Sequence, residues 1–269
     1  MKSTQAFSMA AVVGTIAATT LSVNPASAVS VTLGGVKGNS NGTTGLFYNP
    51  NIVSGNVTTI DFNDASATSG NKVNVSSVNQ KGATYNPGDA VVVVNHNGNA
   101  ILPGPNNTAL GVSPFAGPDK NTSPYLTLPT SPSQGPSSVT ITLPKLSDYF
   151  GLHWGSLDAT NQIEFFNGGT RVGLFTGQNL ADLFPNNIVV QPGPQNQDNP
   201  QSNPYINFFA DGQLFNEVVL SETGSDVSVA FETDNHAFRA VPEPLTILGS
   251  GLALGFGAIF KKQQSRRRQ

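Results

Sequence analysis

The chain has 269 residues, a formal net charge of −3, 11% charged residues and no cysteine. The lack of cysteine excludes disulfides, thiolate metal sites and thiol nucleophiles. All 16 acids lie between residues 29 and 244 together with 7 of the 13 bases, so this part has a net charge of −9. Such an acidic surface disfavours binding to the phosphates of a nucleic acid, but it suits divalent cations, neutral polysaccharide or simple solubility.

Residues 1–28 have the features of a secretory signal peptide. A single lysine precedes a run of apolar and small residues, and Ala26, Ser27 and Ala28 then follow the small-x-small cleavage pattern. We therefore expect Sec-type export machinery to translocate the chain, cleavage after Ala28, and a mature protein that begins at Val29. A buried N-terminal helix is the alternative, although polar residues interrupt any amphipathic stripe.

The mature part, residues 29–240, is predicted to be all-β. Ten short runs are rich in β-branched or aromatic residues, and most alternate apolar with polar positions and end at Gly, Pro or Asn. With almost no helical periodicity, they predict a single antiparallel β-sandwich or jelly-roll-like domain, with a signal helix before it and a transmembrane helix after it. The runs are residues 57–62, 72–78, 90–95, 138–143, 149–154, 162–166, 171–176, 205–210, 215–221 and 226–232.

The connections between these runs carry their own signals. Asn167-Gly168 and Asp211-Gly212 are predicted to form tight hairpin turns, because these dipeptides accept positive φ. Residues 178–184, closed by a proline, predict one short helix. Residues 97–136 and 191–204 are rich in Pro and Asn, and because Pro has no N–H to donate to a ladder, both are predicted to be long exposed loops.

Nucleophilic catalysis of the triad type is poorly supported. It requires a Ser or Thr beside a base that a third group orients, but no Gly-x-Ser-x-Gly motif occurs and the chain has three histidines. We expect His96, His153 and His236 to be structural. Paired carboxylates could instead serve glycoside hydrolysis. The candidate acids for that chemistry are Asp148, Asp158, Glu164, Glu217, Glu232 and Asp234.

Calcium is the one cofactor for which the sequence offers ligands, since it prefers carboxylate, amide and carbonyl oxygens. Asp158 with Asn161, and Asp234 with Asn235, place such oxygens where strands are predicted to end. No EF-hand spacing is present, and the alternative is that these residues only stabilise turns.

Exposed aromatic rings would be needed to bind a sugar. Trp154, the only tryptophan, and Tyr149 are the candidates for a ligand platform, with burial in the core as the alternative. Phe150, Tyr125 and Tyr205 are further candidates. Three phenylalanines on the predicted strands, Phe165, Phe208 and Phe231, are assigned to the core.

The last 29 residues, 241–269, have three parts in a fixed order. Val241, Pro242, Glu243 and Pro244 precede the uncharged run 245–260, which as a helix would cover about 24 Å and cross the ~30 Å hydrocarbon core only with local thinning. A basic tail follows and should stay in the cytoplasm, which leaves the rest of the chain outside. The tail's cations are Lys261, Lys262, Arg266, Arg267 and Arg268.

This triplet, apolar run and basic cluster resemble the PEP-CTERM sorting signal of bacterial envelope proteins. The resemblance implies a transient anchor in the inner membrane and recognition by an exosortase, which would cut near the Pro-Glu-Pro triplet and pass the protein to the cell surface. An ordinary C-terminal tail anchor is the alternative. Residues 149–161 and 228–238 further resemble the C-terminal half of surface proteins of this class.

Together these features predict an exported protein of the cell surface or exopolysaccharide matrix. Its expected role is structural or adhesive, with contact to polysaccharide, and it is not expected to be an enzyme. The alternative is a secreted carbohydrate-active hydrolase that uses paired carboxylates.

Overall fold

The computed structural model describes residues 29–37, 45–66, 72–88, 90–94, 102–103, 109–110, 114, 123–128, 136–190, 199–224 and 229–242. Within these ranges the chain forms sixteen strands, one α-helix and a 3-10 turn at Val75–Ser77. The elements are β1 (Val29–Leu33), β2 (Gly35–Lys37), β3 (Leu46–Tyr48), β4 (Thr58–Ile60), β5 (Lys72–Val73), β6 (Thr84–Asn86), β7 (Val91–Val93), β8 (Leu102–Pro103), β9 (Ala109–Leu110), β10 (Tyr125–Leu128), β11 (Ser137–Gly155), β12 (Asn161–Asn167), β13 (Thr170–Thr176), α1 (Gly177–Leu183), β14 (Tyr205–Ala210), β15 (Phe215–Glu222) and β16 (Phe231–Ala240).

The targeting segments predicted from the sequence fall mostly outside these ranges. The signal peptide, Glu243, Pro244, the apolar run 245–260 and the basic tail are all in this category, as is His96. Across the ranges that are described, no helix combines the length and the apolar character that crossing a membrane requires.

The predicted all-β class is confirmed in outline, because the chain is mostly β and twelve strands form one antiparallel sheet. The strand β11, nineteen residues long, is its centre. One edge of β11 pairs with β15 and then β14, and the other edge pairs with β6 and then β16. From β15 the sheet continues to β12 and β13, and from β16 to β10, β7 and β5.

Burial along β11 changes between its two halves. From Ser137 to Leu143 every second residue is buried, whereas from Tyr149 to Gly155 every residue is buried. The first half is therefore covered on one face and the second on both, because side chains of a strand alternate between faces. The main core contains Phe150, Leu152 and Trp154, together with the predicted core residues Phe165, Phe208 and Phe231.

The predicted hairpin at Asp211-Gly212 is wrong. Strands β14 and β15 do not pair with each other, since both run antiparallel to β11 and follow one another along the same edge. Tyr149 is paired with Phe209 and Ser147 with Phe215. The residues between Phe209 and Phe215 therefore interrupt a line of pairing that otherwise continues along the same edge of β11. A Gly at positive φ marks a bulge as readily as a hairpin, and the local sequence does not distinguish the two.

The other predicted hairpin, β12–β13, is confirmed with a shift of one residue. Asn167 pairs with Thr170, so the turn residues are Gly168 and Gly169, both at positive φ. The short helix is confirmed as α1, where Thr176 and Asn179 form a reciprocal capping box.

The prediction of two long exposed loops is wrong in part. Within 97–136, strand β10 pairs with β16 and β7, and all four of its residues are buried. Within 191–204, Ser202 and Asn203 are buried. Proline excludes only its own position from donating, so the prolines flanking β10 did not prevent Tyr125–Leu128 from pairing.

Candidate functional site

The two sequence blocks on which the second resemblance rests lie side by side. Residues 149–155 form the second half of β11 and residues 231–238 belong to β16, where His153 pairs with Asp234 and Trp154 with Thr233. The pairing is interrupted at Asn235, which has φ of 51° and forms a bulge. Asp234 and Asn235 thus lie within a strand, and their predicted place at a strand end is wrong. The sequence Asp-Asn-His suggested a turn because Asn tolerates positive φ, which a bulge also requires.

Trp154 and Tyr149 are not a ligand platform. Both side chains are fully buried. Trp154 stacks on Phe231 with ring centroids 4.4 Å apart, while Tyr149 packs on Phe209 and donates its hydroxyl to Asn207 Oδ1 over 2.9 Å. Burial on both faces of this half of β11 explains the error, since alternation in the sequence implied one solvent face.

Asn161 joins three strands through one buried amide, and we call these contacts the Asn161 network. Its Oδ1 accepts the indole Nε1–H of Trp154 over 3.3 Å and the backbone N–H of Asp158 over 3.1 Å. Its Nδ2 donates to Glu222 Oε2 over 2.6 Å and to the carbonyl of Ala230 over 3.5 Å. The amide has thereby used its acceptor and donor groups within the fold.

A second cluster of buried polar residues lies on the opposite face of β11 and β16. We call it the polar layer, and its members are His153, Asn203, Tyr205, Asp234 and Asn235. The Asp234 carboxylate accepts Ser123 Oγ–H over 3.0 Å and the N–H of Asn235 over 2.7 Å. Tyr205 donates its hydroxyl to the carbonyl of Asn235 over 3.2 Å. All five residues of the polar layer are at most 1% exposed.

His153 is held as a neutral imidazole with a defined tautomer. Its Nδ1 accepts the backbone N–H of Leu46 over 3.1 Å, so the proton must be on Nε2, which faces the Asn203 carbonyl at 3.3 Å. Burial lowers the pKa of His153 to about 3, although the bond to Asn203 opposes this change. His153 therefore connects β3 to the segment before β14, as a structural residue.

His236 occupies a different, mostly aromatic environment. Its ring lies between Phe62, Tyr85 and Phe150, with Tyr85 Oη 2.7 Å from Nδ1 and Thr233 Oγ1 2.8 Å from Nε2. Burial lowers the pKa of His236 to about 3. Hydroxyl groups thus occupy both ring nitrogens of His236, whereas a triad base would direct one nitrogen to a carboxylate.

Three of the six candidate catalytic acids form separate contacts within the fold. Asp148 forms a bidentate ion pair with Arg239, at 2.8 and 3.0 Å, and Glu164 pairs with Arg171 at 2.8 Å. Asp234 belongs to the polar layer. Carboxylates that are already paired with a cation or held by hydrogen bonds are poor candidates for a general acid or base.

Calcium at these positions stays a prediction. Asn161 Oδ1 is committed to two N–H donors, so this oxygen is a poor ligand for a cation as the fold stands. Asp234 has an N–H on one oxygen and a hydroxyl on the other. Within the described ranges, no group of three or more His, Cys, Asp or Glu side chains could hold a metal ion.

The predicted sorting motif begins immediately where the sheet ends. The N–H of Val241 donates to the carbonyl of Leu146 over 2.9 Å, and Pro242 is the last described residue. At the other end, Val29 is the first residue of β1 and pairs with Ala210. The two predicted processing points thus directly flank the folded body.

Sequence reasoning missed several residues that hold this region together, namely Ser123, Asn203, Asn207, Glu222 and Leu46. Their contacts cross long sequence separations, such as 111 residues for Ser123 and Asp234. The one usable signal was the presence of polar residues within otherwise apolar runs, as in Tyr205–Ala210. In comparisons with known proteins, no family model matches the chain, and neither a curated protein nor a solved structure is found to be similar to it.

Proposed function

We propose that the protein is an exported component of the bacterial cell surface or exopolysaccharide matrix that an exosortase sorts through the C-terminal signal. One observation carries the proposal: the folded body ends at Val241, and the remainder of the triplet, the apolar run and the basic tail follow without a linker. A signal that must be reached by a membrane enzyme is expected at such a junction.

A structural or adhesive role is favoured over catalysis by the use of the polar side chains. The Asn161 network, the polar layer and the ion pair between Asp148 and Arg239 connect strands that are distant in sequence. Groups that satisfy one another in this way add to the rigidity of a fold. A rigid body of this kind suits a component of a surface layer or matrix.

We also propose that the sheet folds over itself as a sandwich. Strands β12 and β13 are not neighbours of β14 in the sheet, yet the rings of Phe165 and Phe208 are 5.0 Å apart and those of Phe175 and Phe208 are 5.4 Å apart. A Cβ on Gly173 of β13 would lie 2.9 Å from the Val29 side chain of β1. Such contacts between distant strands support two packed layers joined by β11.

The sorting step can be tested in a host that carries an exosortase. In the Glu243→Ala variant, we expect an unprocessed precursor that stays in the membrane fraction, with an intact mass that still includes residues 245–269. Glu217→Ala, which changes an acid on β15, is the matched control and should be processed as the unchanged chain is. Release of normally processed Glu243→Ala protein would reject the exosortase assignment.

A further inference from the structure

One end of the folded body surrounds the point where the chain leaves the sheet, and we call it the exit end: Lys81, Gly82, Pro144, Lys145 and Leu146. The bond from Val241 N–H to the Leu146 carbonyl places the departing chain here. Strand β6 continues backward into the same end, because Thr84 pairs with Thr142 and a Cβ on Gly82 would be 3.6 Å from Pro144.

The exit end combines basic and apolar side chains on its surface. Lys81 and Lys145 are exposed, and Leu146 is one of the few large apolar side chains with substantial exposure, at 41%. The neighbouring acid Asp148 is neutralised by Arg239. Although residues 29–244 contain 16 acids and 7 bases, the exit end has two exposed lysines beside an exposed leucine.

The length of chain beyond the sheet limits how far this end can be from a bilayer. From Val241 to Leu245, where the apolar run begins, four residues span at most about 14 Å when fully extended. The headgroup region on one side of a bilayer takes up about 5–7 Å of that length. The remaining gap is comparable to the Debye length of about 8 Å at physiological salt, so charges at the exit end are only partly screened from the headgroups.

We propose that, in the precursor, the exit end rests on the outer face of the membrane, with Lys81 and Lys145 against anionic lipid headgroups and Leu146 in the interfacial region. This inference rests on the proposed function, because it requires residues 245–260 to be inserted in the bilayer. The contact orients the body and presents the Pro-Glu-Pro triplet at the membrane surface, where a membrane-embedded enzyme can reach it.

The chain has no cysteine, so single introduced cysteines provide clean probes. Leu146→Cys reports on the exit end, and Leu174→Cys on β13 is the matched control, since the two leucines are similarly exposed at 41% and 37%. The full chain carrying a fluorophore at one of these positions is reconstituted in vesicles of three parts phosphatidylcholine to one part phosphatidylglycerol. Lipids with a nitroxide on the headgroup then quench fluorophores that lie at the surface.

We expect quenching at position 146 to exceed that at position 174 by about twofold or more, because headgroup contact is confined to the exit end. Combining Lys81→Glu with Lys145→Glu should lower the quenching at 146 while the chain still floats with the vesicles. A full chain that does not float with the vesicles would contradict the proposed membrane signal itself. Chains that float but show equal quenching at 146 and 174, or no effect of the charge reversal, would overturn only the docking inference.

The processing enzyme is the competing occupant of this surface. Quenching at position 146 could be low in lipid alone, with the probe shielded from solvent only when an exosortase is reconstituted beside the chain. In that case the exit end contacts the enzyme and not the lipid headgroups. That result would overturn the lipid assignment.

Discussion

At the scale of single residues, the buried polar side chains explain why this fold tolerates a core with so many hydrogen-bonding groups. Asn161 is the clearest case, because a single amide satisfies an indole, a backbone N–H, a carboxylate and a carbonyl. A buried polar group without a partner lowers the stability of the fold. The contribution of each of these four contacts therefore comes mainly from the group that would lose its partner if the amide were removed.

Asn161→Ala should therefore lower the free energy of unfolding by about 3 kcal/mol, since the Trp154 indole N–H and the Glu222 carboxylate would both lose a partner. Chemical denaturation monitored by tryptophan fluorescence measures this directly. Asn161→Asp tests the donor separately, because it keeps the acceptor for Trp154 but sets a second carboxylate against Glu222. It should be at least as destabilising at neutral pH.

The exposed Asn56 provides the control, and Asn56→Ala should change the free energy of unfolding by no more than about 0.5 kcal/mol. Equal stability of Asn161→Ala and the unchanged chain would show that the network contributes nothing.

At the scale of elements, β11 is the central strand of the large sheet. Its second half is packed on both faces, and Gly151 makes this possible on the side of the polar layer. A Cβ at this position would collide with the Tyr149 hydroxyl and would approach Tyr205 Cε1 to 3.0 Å. Glycine in the middle of a strand weakens it locally, so its presence here reflects the close approach of the two tyrosine rings.

Gly151→Ala should destabilise the domain by about 2 kcal/mol, because the added methyl group forces the Tyr149 ring out of place. Tyr149→Phe removes the atom that the methyl group would meet first. The double variant should consequently be more stable than the sum of the two single effects predicts, as a double-mutant cycle of unfolding free energies would measure. Strict additivity would mean that the side chains do not interact.

At the scale of the whole molecule, two buried neutral histidines make stability depend on pH. The pKa values of His153 and His236 are about 3 in the folded state, against 6.5 for an unperturbed imidazole. The unfolded chain thus binds more protons than the folded chain below pH 6.5. Their stabilising contribution is fully present above that pH and is lost progressively as the pH falls toward 3.

We expect the free energy of unfolding to fall by up to about 1.4 kcal/mol per pH unit for each histidine between roughly pH 6 and 5, where carboxylates titrate little. Urea denaturation at several pH values gives the slope. In His236→Gln the slope should be about half that of the unchanged chain, even though the variant is less stable at every pH. An unchanged slope would show that His236 takes up its proton as readily in the folded state as in the unfolded state.

Much of the strand content follows from local pattern alone. Residues 162–166 and 171–176 alternate apolar with polar side chains and enclose a Gly-Gly turn, so β12, β13 and their pairing were accessible from the sequence. The capping residues around Thr176 similarly mark the start of α1. Alternation and capping act between residues that are close in the chain, which is why they can be read without a structure.

The sequence by itself determined the all-β class and the strands β12, β13 and β15, but it divided β11 into two strands and placed β16 too early in the chain. Only the tertiary structure decided that β14 and β15 share one edge of β11, that β10 belongs to the sheet, and that Trp154 and Asp234 are buried. The physical reason is that strand pairing and the covering of a second face depend on contacts between segments that are far apart in the chain. The local pattern of a strand specifies which side chains share a face, and the rest of the fold determines whether that face meets water.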